Sequence, residues 1–358
     1  MIYRFRRFSQ IKESIEAGSG NLWMTSLPGA PLARVENPCH NWDVPDHITR
    51  LAPSPTGALH LGNARTFLVN WILARQMGWR ILLRIEDIDG PRIKRGADRG
   101  LIEDLKWLGV DWDEGPVYQS QRVAKYRGAV ERLMAEGKAY PCVCSRKEVE
   151  AAASAPHAED GAAVYPGTCR GKFASMAEAE QVAGKPACVR FDVGDVGVEF
   201  EDRFAGKKRF DVRGELGDFV IAKADGTPAY QLAVVVDDAE MGVDRVVRGD
   251  DLLDSTPRQV LVYRALGLGD RIPEYWHLPL VVGEDGRRLA KRHGDTRLVT
   301  YRERGVRAER VVALLARWLG MDVGNGMEAR DLVKSFRLED VPRRAIVFSA
   351  ADDDWLVG

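Results

Sequence analysis

The sequence predicts an α/β protein: a parallel sheet, an inserted α+β subdomain and a short helical C-terminal segment. Three observations carry this. From residue 47 onward, short apolar runs alternate with stretches of helical periodicity, the mark of parallel strands covered on both faces. From Tyr140 to about Phe210 that rhythm breaks, and most of the chain's five cysteines gather there beside an alanine-rich stretch and alternating segments such as CVRFDV. Near the end, Val311, Val312, Leu315 and Leu319 recur on one helical face.

Each element has a local cause. A strand over Ile48–Ala52 stops at Pro53, Pro55 and Gly57, because proline removes backbone donors and pushes its predecessor toward extended geometry. A helix follows, carrying Leu61, Phe67, Leu68, Trp71 and Ile72 and ending at Gly78. A second strand covers Trp79–Ile85. Leu101, Leu105 and Leu108 mark a helix from about Gly96 to Leu108, and another runs from about Gln121 to Glu136 and stops at Gly137. After the insertion, buried strands are expected over Asp218–Ala222, Tyr230–Val236, Asp244–Val247 and His277–Val282. Helices are expected over about Thr256–Leu266 and Ala308–Leu319.

Composition narrows the class. The 358 residues suffice for two domains or one domain carrying an insertion, and 45% hydrophobic with 29% charged residues suits a globular chain. Lys+Arg of 52 against Asp+Glu of 53 excludes a strongly basic coat, so contact with RNA has to come from a confined patch. No apolar run approaches the roughly 20 residues of a membrane span. Five unevenly placed cysteines suit a reducing cytoplasm better than a disulfide framework, so a cytoplasmic location is expected.

Two loops have the chemistry of phosphate binding. The strand-turn-helix around RLAPSPTGALHLGN aims backbone N–H groups and a positive helix end at an anion; Gly62 admits a nucleotide to the backbone and His60 can donate to a phosphate oxygen. Far downstream, GEDGRRLAKRHGDTRL places Lys291 and Arg292 in a glycine-flanked polar loop. Two such loops on one chain are what a nucleotidyl-transfer site needs.

APSPTGALHLGN resembles the first nucleotide-binding motif of class I aminoacyl-tRNA synthetases, and RRLAKRHGD resembles their mobile lysine loop. RIEDID, YQSQR, AYQLAVVVDDAEMG and VVRGDDLLDST, in this order, are similar to the glutamyl-tRNA synthetase branch and, within it, to its short queuosine-modifying paralogues. The resemblance runs from about His47 to about Gly320. It implies a Rossmann-like parallel sheet with an inserted α+β zinc-containing subdomain. The division would be an unmatched extension (1–46), two nucleotide-binding halves (47–139 and 213–300), an inserted acceptor-type zinc subdomain (140–212) and a helical C-terminal segment (301–358) without an anticodon-binding domain. Met24 is an alternative start within the extension.

The implied reaction has a carboxylate attack the α-phosphorus of ATP and expel pyrophosphate, with Mg²⁺ on the pyrophosphate. Catalysis is then positioning and charge stabilisation. His60 and Lys291 would face the phosphates from opposite sides. Pro53, Gly57, His60, Gly62, Asn63 and Lys291 form the expected ATP set. Arg50 and Arg248, at strand ends where open α/β sheets bind ligands, would take the carboxylates of glutamate; Glu86 would take its ammonium, and Ser54 and Tyr230 would add neutral hydrogen bonds. The competing possibility is that Arg50 and Glu86 simply pair with each other. Three positions depart from the wider family: Asn63 replaces a frequent histidine, Ala290 the common serine before the lysine, and Val234 an amide that would border the pocket.

Cys142 and Cys144, with Cys169 some 25 positions on, can form a three-sulfur clip for one structural Zn²⁺; buried free cysteines are the alternative, and His157 is a candidate fourth ligand. The resemblance of CxC and YxxxC to the paralogues' clip implies Tyr165 instead. Cys39 and Cys188 have no partner spacing. Between Lys291 and residue 358 there is room to finish the catalytic fold but not for a large helical anticodon-binding domain. The paralogues imply another acceptor: queuosine in the anticodon loop of tRNA(Asp), presented to the active site as a splayed single strand by a monomeric enzyme.

Overall fold

The computed structural model describes residues 47–88, 90–152, 164–287, 289 and 295–358. The 1–46 extension, His157, Ala290, Lys291 and Arg292 lie outside the described residues.

Four short strands open and centre the main sheet: β1 (Ile48–Leu51), β2 (Arg80–Ile85), β9 (Arg245–Gly249) and β10 (Glu274–Leu278). With β3 (Glu114–Tyr118) and the hairpin β6 (Gly197–Asp202) and β7 (Gly206–Asp211), the order is β3-β2-β1-β9-β10-β6-β7. Every pairing is parallel except that of the hairpin. The chain walks outward one way through β1, β2 and β3 and the other way through β9 and β10. The crevice between β1 and β9 at their carboxyl ends is therefore the topological switch point, where open sheets bind ligands.

Helix α1 (Leu61–Met77) follows β1 and is buried on several sides, packing against β1, β2, β9 and two C-terminal helices, α9 (Ala308–Trp318) and α10 (Ala329–Ser335). Its end at Gly78 is a left-handed cap, φ 68°, which glycine adopts without a Cβ penalty. Asn70 interrupts the apolar surface for a reason: its amide accepts from Thr49 Oγ1 at 2.8 Å and donates to the Arg50 carbonyl at 2.9 Å. A buried amide can stay in a core only if so paired, and here the pairing pins β1 just before the turn.

A three-stranded antiparallel sheet, β4 (Ala139–Cys142), β5 (Cys188–Phe191) and β8 (Phe219–Ala222), lies beside helices α4 (Arg146–Ala152) and α5 (Met176–Ala183). Strand pairing crosses the expected 212/213 border in both directions. The β6–β7 hairpin joins the main sheet through Tyr275 opposite Asp202, while β8 pairs with β5.

Two expected strands are corrected. Tyr230–Val236 is not a strand but the first part of helix α6 (Tyr230–Glu240). A short apolar run with three valines reads either way by periodicity; here it is buried all round, against α3 (Val123–Ala135), β8 and α7 (Ser255–Ala265). The strand expected over His277–Val282 is two: β10 ends before Pro279, which cannot donate to a ladder, and β11 (Val281–Val282) pairs with β12 (Ile346–Val347). The last helices are α8 (Leu298–Glu303), α9, α10 and α11 (Ala350–Val357). Among the described residues no helix is long and apolar enough to cross a membrane.

Candidate active site and cysteine cluster

A cleft of about 550 Å³ opens at the switch point. Its lining includes Arg50, Pro53, Ser54, Gly57, His60, Gly62, Asn63, Glu86, Tyr230 and Arg248, so the fold brings together every described residue expected to bind ATP or glutamate.

His60 is the N-cap of α1, its Nδ1 accepting from the Asn63 N–H at 3.4 Å. In a neutral ring that acceptor role leaves the proton on Nε2. Gly62 lets the His60 ring lie close to the backbone: a Cβ there would stand 3.2 Å from the ring, so a larger residue would press on it. The loop is also zipped to the segment that follows the lysine loop: Leu61 N donates to Thr296 O (3.0 Å) and Leu298 N to Leu59 O (2.8 Å), with His60 bridging Arg297. The two phosphate-type motifs, remote in sequence, thus share a backbone seam.

Around Tyr230 the cleft is charged. Arg50, 5% exposed, donates to the Val247 carbonyl at 3.3 Å and lies 3.8 Å from Asp238; among the described residues its Nε makes no hydrogen bond. Burial first of all lowers its pKa from the ordinary guanidinium value. Glu86 takes an Arg84 N–H at 3.1 Å, and Arg84 is also held by Asp238 at 2.5 Å and lies 3.8 Å from Asp237. Among the described residues Glu86 is paired with Arg84 and Arg50 with Asp238, so the simple Arg50–Glu86 pair is not formed. Burial raises the pKa of Glu86, with Arg84 and then Arg50 opposing.

Arg248 is 4% exposed and threaded by three acceptors: Nε to His277 Nε2 (3.0 Å), one terminal nitrogen to Thr256 Oγ1 (2.8 Å), the other to Tyr230 Oη (3.3 Å). Asn70, Thr256, His277 and Asp202 were not singled out by the sequence. Only Asn70 leaves a trace there, as a lone amide in an apolar helical run. Val234 does not border the cleft: it is buried in the hydrophobic cluster beneath α6 and α7, because the helix turns that position inward.

The cysteine cluster is separate. The sulfurs of Cys142, Cys144 and Cys169 lie within 4.8 Å of one another, and Cys144 and Cys169 are 3.5 Å apart. A tetrahedral zinc with bonds of about 2.3 Å asks for sulfur–sulfur edges of about 3.8 Å, so the three thiols fit one ion. Tyr165 Oη is 3.4 Å from Cys142 Sγ and 3.6 Å from Cys144 Sγ, and accepts the Cys169 N–H at 2.8 Å. Gly217, at φ 66°, passes so close that a Cβ would stand 2.9 Å from the Tyr165 nitrogen. Cys188 has a neighbour after all: it lies opposite Cys142 across the β4–β5 ladder. A hydrogen bond from Cys188, followed by those from Tyr165, the backbone and Arg190, holds the Cys142 thiol well below its ordinary range against desolvation.

Similarity to known proteins agrees with this geometry. A "Glutamyl-Q tRNA(Asp) synthetase" from Symbiobacterium thermophilum is 49% identical over 308 residues, 83% of this chain and 94% of that relative. A "Glutamate--tRNA ligase" from Geobacter sulfurreducens is 44% identical over 310 residues, but the chain spans only 64% of its length. A crystal structure of a glutamate tRNA ligase from Elizabethkingia meningosepticum, in complex with its amino acid, superposes with a TM-score of 0.72 at 29% identity, covering 87% of this chain and 68% of that one. Residues 47–354 match "tRNA synthetases class I (E and Q), catalytic domain", and the chain belongs to that family.

Proposed function

We propose that this protein activates glutamate with ATP and transfers it to queuosine in the anticodon loop of tRNA(Asp). The observation that carries the reading is the 49% identity to a relative of that name, extending over 94% of the relative's length. The cleft supports the choice of acid. About Tyr230 stand two cations, Arg50 and Arg248, and two anions, Glu86 and Asp238. Asp238 lies against Arg50, and the guanidinium groups and Glu86 offer glutamate's carboxylates and ammonium partners of opposite charge. Guanidinium groups suit carboxylates because their donors form a planar fork.

In this mechanism glutamate lies against Arg50, Arg248, Glu86, Ser54 and Tyr230, with its reacting carboxylate aimed at the ATP α-phosphorus. Pro53, Gly57, Gly62 and Asn63 border the nucleotide. The Nε2–H of His60 and the α1 N-terminus stabilise phosphate charge on one side and Lys291 does so on the other; Mg²⁺, when bound, would offset negative charge on the pyrophosphate. The adenylate's carbonyl is then attacked by a hydroxyl of queuosine's cyclopentenediol, releasing AMP. Cys142, Cys144, Cys169 and Tyr165 would hold one structural zinc that orders the 140–212 region toward the RNA, with 47–139 and 213–300 as the nucleotide-binding halves.

Pyrophosphate exchange tests the activation step. Glutamate should support exchange without any tRNA. No exchange with glutamate, or strict dependence on tRNA(Glu), would contradict the proposal.

A further inference from the structure

We infer that Asp202 and His277 form a positioning pair that fixes the guanidinium of Arg248 for the carboxylate of the amino-acid substrate. This rests on the reading of Arg248 given above, and it adds two residues from outside the cleft lining.

A guanidinium has five N–H donors and no acceptor. Because Arg248 Nε–H points at His277 Nε2 at 3.0 Å, that ring nitrogen has to carry a lone pair. The ring proton therefore sits on Nδ1, which is 2.6 Å from Asp202 Oδ2. Asp202 is held in turn: its Oδ1 accepts from the backbone of His277 (3.2 Å), Phe204 (2.9 Å) and Ala205 (2.6 Å). Three backbone N–H groups thus orient a carboxylate, the carboxylate selects a tautomer, and the tautomer supplies the acceptor that Arg248 needs.

The rest of the guanidinium fits the same purpose. Thr256 and Tyr230 each take one terminal N–H, so among the described residues three of the five donors are used. The two that remain, one on each terminal nitrogen, are left for a carboxylate, which guanidinium groups commonly bind with two N–H donors. The Asp202 and His277 side chains are both fully buried, and the His277 ring stacks on Tyr275, which also underlies Arg248 at 5.2 Å. Rotation of Arg248 would break a chain of contacts, not one bond. Asp202 reaches this place only because the β6–β7 hairpin joins the main sheet beside β10.

Asp202→Asn separates positioning from bulk structure. Its amide is nearly the same size, but an NH₂ facing Nδ1 moves the ring proton to Nε2, where it opposes Arg248. The account expects the KM for glutamate in pyrophosphate exchange to rise roughly tenfold or more, with the KM for ATP within about twofold. His277→Gln, whose carbonyl can accept from Arg248, should retain more glutamate affinity than His277→Phe. Nitrogen-15 NMR of the imidazoles should find His277 protonated on Nδ1 in the unaltered protein. A ring protonated on Nε2 there, or an unchanged glutamate KM in both Asp202→Asn and His277→Phe, overturns the inference. If Asp202→Asn fails to fold, the tautomer and the Gln-against-Phe ranking decide. Absence of glutamate-dependent exchange in the unaltered protein would overturn the reading of the pocket instead.

Discussion

The cleft and the cysteine cluster are built on opposite plans. In the cleft, functional side chains stand on the rigid ends of β1, β2, β9 and α6, and their supports come from far along the chain. Arg50 meets the Val247 carbonyl, Arg84 meets Asp238 and Arg248 meets His277. The cluster instead draws Cys142, Cys144, Tyr165 and Cys169 from a narrow stretch, with Cys188 and Arg190 arriving from a neighbouring strand. Removing a cleft residue should therefore abolish an interaction and leave the fold standing. Removing a cluster residue should loosen its own small sheet and leave the cleft working.

The largest contrast is expected at Arg248. Arg248→Ala should weaken glutamate binding by roughly 2–5 kcal/mol, the range for stripping one member of a buried charged contact. ATP affinity should hardly change. Calorimetry showing intact glutamate binding would assign this arginine to the fold alone.

A smaller effect belongs to Asp104 on helix α2 (Ala97–Trp107), a buried carboxylate 3.5 Å from Arg302, raised to a pKa of about 6 chiefly by burial. The native state then holds this proton more tightly than the unfolded chain, so its stabilising effect is complete below pH 3.8 and lost as pH rises through about 6. Asp104→Asn should add about 1–3 kcal/mol to unfolding stability at pH 7.5, and the gain should shrink on acidification toward pH ~4. Urea melts at both pH values check this; an equal gain at both would mean the carboxylate has an ordinary pKa.

His60→Ala should lower the exchange rate about tenfold, through lost phosphate contact and a lost helix cap. A variant within twofold of the unaltered protein would remove this histidine from the active site. The smallest effect on activation is expected from the cluster. Cys142→Ser with Cys144→Ser should lose about one zinc per chain by elemental analysis, while adenylate formation stays within about twofold and transfer to RNA falls further. A metal-free preparation with full transfer activity would reject the clip.

The same contrast explains what the sequence could reveal. Residues on motifs with fixed spacing, such as His60, Gly62 and the CxC pair, were legible because local backbone geometry alone constrains them. Arg50, Glu86 and Arg248 were legible as strand-end charges. Their supports were not: Asp202, Thr256 and His277 meet only after the hairpin pairs with β10, and no local pattern records that pairing. Helix α6 reads as a strand in the sequence because burial on nearly every side erases periodicity.

The most direct test is transfer of labelled glutamate, side by side, to tRNA(Asp) carrying queuosine, to the same tRNA as an unmodified transcript, and to tRNA(Glu). The account predicts label only on the modified tRNA(Asp), in its anticodon loop, because the unmodified transcript lacks the cyclopentenediol hydroxyls. Efficient labelling of tRNA(Glu) at its terminal adenosine, or equal labelling of the transcript, would contradict it.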